Sequence, residues 1–176
     1  MFTPHHTSGS SFGESTNKKV NKSILNLYKN MSENLKKGIS VIVYDENGGI
    51  YFLIMHRNSD WSGWEFPKGQ MADNERIEDA FKREIIGKIG VRKLEVTHQL
   101  DVQRVFRNED TSHVYDVFLA KANMNTPVNI NKKLKYDTYI WTKEDRVLEK
   151  LSWDDEKEVF KKALEFLKSG ESKKKK

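Results

Sequence analysis

Residues 69–91 read GQMADNERIEDAFKREIIGKIGV, and this stretch decides the fold. A glycine opens a polar loop, and an amphipathic helix follows. Asp73 or Asn74 is placed to cap that helix by accepting a backbone N–H. Ile77, Ala80, Phe81, Ile85 and Ile86 recur at helical spacing and predict a buried stripe. Glu84 and positions 87 and 88 are related as i, i+3 and i+4, so they share one helix face. Gly90 closes the segment. The bland alternative is an ordinary loop and helix with a core stripe.

Gly69, Glu75, Arg83, Glu84, Ile85, Gly90 and Val91 fall at the spacing G-x5-E-x7-R-E-U-x-E-E-x-G-U, with U aliphatic. The segment therefore resembles the Nudix box. The resemblance implies an α/β fold, an α/β/α sandwich with a mixed sheet, the box as loop–helix–loop and a C-terminal helix. It also implies Mg²⁺-dependent cleavage of pyrophosphate linkages in nucleoside diphosphate derivatives. In the family the shared helix face carries three carboxylates that gather the metal. Here two of those positions are Gly87 and Lys88. Two negative charges are lost and one positive charge is gained, which weakens any Mg²⁺ site built on Glu84 alone. Glu75 and Arg83 are kept, and in the family that pair ties the loop to the helix. Gly87 costs about 1 kcal/mol of helix propensity against alanine, so one reading ends the helix near Ile86.

The neighbouring sequence supports the same fold. GISVIVYD (Gly38–Asp45) and IYFLIMHR (Ile50–Arg57) predict strands joined by the turn Glu46-Asn47-Gly48-Gly49. Asp60–Trp64 reads as a loop, and Trp64-Glu65-Phe66-Pro67-Lys68-Gly69 resembles the approach to the box in dinucleoside polyphosphate hydrolases and decapping enzymes. Lys68 and Arg57 are candidates to meet phosphates. Lys93–Phe106 is extended with interrupted alternation, and His113–Ala120 and Tyr136–Thr142 are further strands. Trp153–Leu167 is helical, with Ser152 as the expected cap. That last part resembles asymmetrical dinucleoside tetraphosphate hydrolases, in which an acidic residue near the Y-x-W strand assists the reaction. Asp137 is the nearest candidate here, with Glu78 and Asp79 as weaker substitutes.

The chain has 176 residues, a net charge of +5 and no cysteine. It suits one domain over 38–168, with a basic extension at 1–37 and a lysine-rich tail at 169–176. Residues 23–35 form a weak amphipathic pattern within that extension. The lack of cysteine excludes disulfides and thiolate metal sites and fits a reducing, intracellular compartment. Residues 1–37 also have the Ser, Thr, Asn and Lys content of a mitochondrial presequence, against which Glu14 and the lack of Arg argue. No apolar run approaches the roughly 18 residues that cross a bilayer, so no membrane partner is expected. Lysine-rich tails attract polyanions such as RNA.

Two functional readings follow. One is a non-catalytic binding module for a nucleotide, an RNA end, or a ribonucleoprotein or protein partner, with Lys88 pairing with Glu84 or standing beside a phosphate. The other is an altered Mg²⁺-dependent hydrolase of dinucleoside polyphosphates or related nucleotides, with Glu84 as ligand or base.

Overall fold

The computed structural model describes residues 34–130 and 135–174. The amphipathic pattern at 23–35 and the basic extension at 1–37 lie outside the described residues, except for residues 34–37.

β1 (Leu35–Glu46) is the central strand, and its β-branched residues are buried on both faces. It opens ahead of the expected Gly38, so Lys36 and Lys37 belong to the sheet. A tight turn at 47–49 returns the chain as β2 (Ile50–Asn58), antiparallel to β1. Gly48 has φ +70°, a left-handed conformation that a glycine adopts without a Cβ penalty.

Two short strands occupy the stretch expected to be loop. β3 (Ser62–Glu65) pairs with β2, and β4 (Lys68–Gln70) pairs with β1. Pro67 has no N–H to give, and its carbonyl accepts the Val41 N–H at 2.8 Å. The proline thus interrupts the two strands while still holding them to the sheet.

A helical run over residues 77–89, here α1, follows the loop. β5 (Glu95–Asn108) and β6 (Thr111–Lys121) form the second hairpin, and two register shifts in β5 account for its interrupted alternation. β6 runs parallel to β1, whereas β7 (Tyr136–Thr142) is antiparallel to β2. α2 (Glu144–Lys150) and α3 (Asp154–Lys174) complete the domain. The strand order is β3-β2-β1-β6-β5, with β4 on β1 and β7 on β2.

Alternate residues of the central strands feed two cores. Ile39, Val41, Val43, Leu53 and Met55 pack with Phe81, Ile85 and Ile89 of α1. Ile42, Phe52, Ile54 and Leu119 pack with Val147 of α2 and Phe160 and Leu164 of α3. The architecture is the expected α/β/α sandwich around a mixed sheet.

Four local expectations are corrected. Neither Asp73 nor Asn74 caps α1, which starts at Ile77 after Arg76. Asn74 instead takes φ +59° in a turn whose Glu75 N–H donates to the Ala72 carbonyl. The helix does not stop near Ile86. It passes through a π-helical segment, Phe81–Ile86, and ends at Ile89 with Gly90 left-handed at φ +75°. Ser152 does not cap α3, because its hydroxyl accepts the Trp64 N–H at 2.9 Å and so pins β3 to the α2–α3 turn. α3 also runs on to Lys174, past Leu167, where the sequence reading ends the helix.

Among the described residues no helix is long and apolar enough to cross a membrane.

Candidate active site

α1 and the loop before it are joined by one arginine. Arg83 donates from Nε to Glu75 at 2.8 Å and from a terminal nitrogen to the other Glu75 oxygen at 2.6 Å. It also reaches the Gln70 carbonyl at 2.9 Å and touches Glu84. Glu75 in turn accepts the Ala72 N–H at 2.8 Å. The hydrogen bonds from Arg83 hold the Glu75 carboxyl down to a pKa of about 2. These bonds tie the loop to the helix.

Glu84 is buried at the base of a cleft of about 1040 Å³. Gly69 makes its position possible, because a Cβ at 69 would overlap the Cβ and Cγ of Glu84. Lys88 follows one turn later, and its ammonium donates to both Glu84 oxygens, at 2.5 and 2.7 Å. The π-helical segment explains the glycine between them. The Gly87 N–H bonds to the Lys82 carbonyl five residues back, and a Cβ at 87 would sit 3.1 Å from that oxygen. Gly90 closes the site from behind, since a Cβ there would strike the Asn129 backbone.

The cleft is strongly cationic. Lys36, Lys37, Arg57, Lys68, Arg83, Lys88 and Lys135 line it, against Asp73, Glu75 and Glu84. Two of those three carboxylates are already bonded to cations. Lys36, Lys37 and Lys135 were not read as site residues. Their signal is only the register of β1 and the approach to β7.

Arg57 and Lys68 reach the cleft from a buried network beneath it. Glu65 is fully buried and accepts from Arg57 Nε at 3.0 Å and from the Tyr136 hydroxyl at 2.9 Å. Lys68 Nζ lies 2.5 Å from its second oxygen. Arg57 also holds Asp60 at 2.8 Å. Burial pulls the Lys68 ammonium below the usual lysine range. The network continues to Arg104, which bonds Asp155 at 2.6 Å and Glu156 at 3.1 Å. Burial raises the Glu156 carboxyl to a pKa of about 7. Sequence reasoning missed Glu65, although it lies inside the quoted approach motif.

Asp137 is not brought to Glu84. It sits on β7, outside the residues lining the cleft, and its carboxylate bonds His56 Nδ1 at 2.8 Å. Glu78 and Asp79 also lie outside that lining. Glu78 lies 3.5 Å from Arg76, and Asp79 lies 4.0 Å from Lys82. Among the described residues, no three His, Asp or Glu side chains gather closely enough to hold a metal ion. Of the three carboxylates lining the cleft, Glu84 has an ammonium on both oxygens and Glu75 is bonded to Arg83, and they do not gather with Asp73 into a cluster that could hold Mg²⁺. With Lys88 in this position the residues present do not fit a divalent cation.

A sequence profile described as the NUDIX domain matches residues 34–163, so the chain belongs to the Nudix family. Among proteins of known activity, an RNA pyrophosphohydrolase of Sulfurovum sp. (strain NBC37-1) is 24% identical over 131 residues, spanning 68% of this chain and 83% of that protein. Similar solved structures include a C. elegans Ap4A hydrolase in a binary complex, with a TM-score of 0.65, 18% identity and coverage of 76% of this chain and 98% of that one. A Nudix hydrolase from M. smegmatis, RenU, has a TM-score of 0.60 at 18% identity, covering 76% and 86%. At these identities the structural likeness speaks for the fold alone.

Proposed function

We propose that the cleft binds the phosphorylated end of a nucleotide or RNA without needing a divalent cation, and that the protein acts as a Nudix-fold binding module. The observation that carries this reading is Lys88 on both oxygens of Glu84. An ammonium there fills, electrostatically, the place from which a bound cation would face a phosphate. Lys68 and Arg57, held by buried Glu65, and Lys36, Lys37 and Lys135 at the rim supply the remaining positive field. The sequence relative named above is an RNA pyrophosphohydrolase, which supports this ligand chemistry.

An entering phosphate competes with Glu84 for Lys88. Arg83 keeps Glu84 and Glu75 in place while Lys88 turns outward. Lys88 is 42% exposed, so the turn is unobstructed by its own burial. In the alternative reading, displacement of Lys88 frees Glu84 to take part in hydrolysis.

The test measures binding of 5′-triphosphorylated RNA and of dinucleoside tetraphosphate, with chelator and with Mg²⁺, alongside phosphate release. Binding that survives chelation and weakens in Lys88→Ala supports the module. Turnover that requires Mg²⁺ and is lost in Glu84→Gln replaces it with the hydrolase. Turnover that appears only in Gly87→Glu/Lys88→Glu marks an active site whose metal ligands have lapsed.

A further inference from the structure

Two tryptophans lie beside the cleft, and neither core uses them. Among the described residues, Trp61 and Trp153 belong to neither apolar cluster, and Trp153 is 43% exposed. Their rings meet edge to face, with centroids 5.1 Å apart and planes at 75°. Such a pair makes an L-shaped aromatic corner.

The corner is held in place from several directions. Gly63 lets Trp61 fold back on its own strand, since a Cβ at 63 would lie 2.7 Å from the Trp61 ring and would overlap the Ser152 hydroxyl. Ser152 bonds to Trp64 through both its hydroxyl and its N–H, at 2.9 and 3.1 Å. Those bonds fix the turn that carries Trp153 next to β3. Asp60, one residue before Trp61, is tied to Arg57.

The corner also adjoins the phosphate-facing cations. The Arg57 guanidinium lies 5.4 Å from the Trp61 ring centroid and Lys68 Nζ lies 5.9 Å from it. Both line the cleft. A group that stacks on this corner is therefore next to any phosphate those cations hold. A half-buried and an exposed indole, set edge to face beside a cationic groove, suit single-stranded nucleic acid, because every base offers a π face and the backbone supplies the charge.

We propose that Trp61 and Trp153 form a stacking subsite for a base of single-stranded RNA whose phosphorylated end occupies the cleft. This rests on the binding reading given above and extends it from the phosphates to the adjoining base. The occupant is read by stacking, so the subsite tolerates any base.

The experiment compares two probes on the full chain: a short 5′-triphosphorylated RNA and inorganic tripolyphosphate, which has phosphates but no base. Affinities and intrinsic tryptophan fluorescence are measured for wild type, Trp61→Ala, Trp61→Phe and Trp153→Ala. RNA should quench the fluorescence and tripolyphosphate should not. Trp61→Ala should lose about tenfold more affinity for RNA than for tripolyphosphate, and Trp61→Phe should recover most of that loss. Thermal melts identify a variant that fails to fold, and Trp61→Phe then carries the test through the loss of quenching. If the alanine variants bind RNA as tightly as wild type, the stacking subsite is wrong while the cleft reading stands. If wild type binds neither probe, the cleft reading fails and takes this one with it.

Discussion

The Lys88 ammonium lies 2.5 and 2.7 Å from the two carboxylate oxygens of Glu84, one helical turn before it. Glu84 is nearly buried and Lys88 is half exposed. The pair is therefore lopsided: the anion is fixed by its packing on Gly69 and its contact with Arg83, whereas the cation is able to leave. The phosphate exchange proposed for Lys88 needs this arrangement.

A cation held against the one deep carboxylate should repel divalent metal. Lys88→Ala should tighten Mn²⁺ binding, followed by electron paramagnetic resonance, by about tenfold, the effect of removing roughly 1.4 kcal/mol of repulsion in a partly screened site. Lys88→Glu should tighten it further. Equal Mn²⁺ affinity in all three proteins would show that the ammonium does not govern the metal preference of the cleft.

Gly69 is buried in β4, paired with Ile39 in register and pressed against Glu84. Gly69→Ala forces the strand and α1 apart. Overpacking of this kind costs about 1–3 kcal/mol, so the urea midpoint should fall accordingly. The same shift moves Glu84 off Lys88, and phosphate affinity should change with stability. A variant as stable as wild type would mean that β4 and α1 are free to separate.

The box was legible because its parts are local. Gly69, Glu75, Arg83, Glu84 and Gly90 sit on one short strand, the loop after it and one helix, all contiguous in the chain, and their spacing places them together. The first hairpin was legible for the same reason, through Gly48 and Gly49. Glu65 was not, because its partners Arg57, Lys68 and Tyr136 arrive from three other strands. Ser152 was misread because its hydroxyl answers the N–H of Trp64, far away in the chain. Gly87 marked a helix irregularity in the sequence, but only the backbone distinguishes a π turn from an early end. Asp137 lay at the expected place along the chain, yet the strand that carries it points its charge to His56.

Glu65 should be the costliest side chain of the site to remove. It is fully buried and is the shared partner of Arg57 and Lys68. Glu65→Ala leaves two buried cations without their shared partner, and breaking such a network destabilises by about 3–5 kcal/mol. Glu65→Gln keeps acceptors for Arg57 and Tyr136 and should lose less. Chemical denaturation of the two variants checks the order. If Glu65→Ala loses under about 1 kcal/mol, water reaches Arg57 and Lys68 and the network is not sealed.

Glu156 gives the domain a pH dependence of unusual sign. Its carboxyl is raised by burial to about 7, above the ordinary 4.5, despite Arg104 beside it. Between about pH 4.5 and pH 7 the folded chain therefore holds this proton more often than the unfolded chain does. Stability falls with rising pH wherever the native state binds more protons, so Glu156 makes the protein less stable as pH climbs through that window. Glu75 acts in the opposite direction and lower down. Its carboxyl is depressed to about 2, so its contribution is present above about 4.5 and is lost as pH falls toward 2. Glu156→Gln keeps the acceptor for the Phe66 N–H, which the carboxylate receives at 2.9 Å, and Arg104 keeps Asp155. Urea midpoints at steps from pH 4.5 to pH 7.5 should decline more steeply for wild type than for Glu156→Gln, so the variant gains stability relative to wild type at the upper end. Parallel curves across the window would mean that Glu156 ionises as readily in the folded chain as in the unfolded one, with Arg104 fully offsetting its burial.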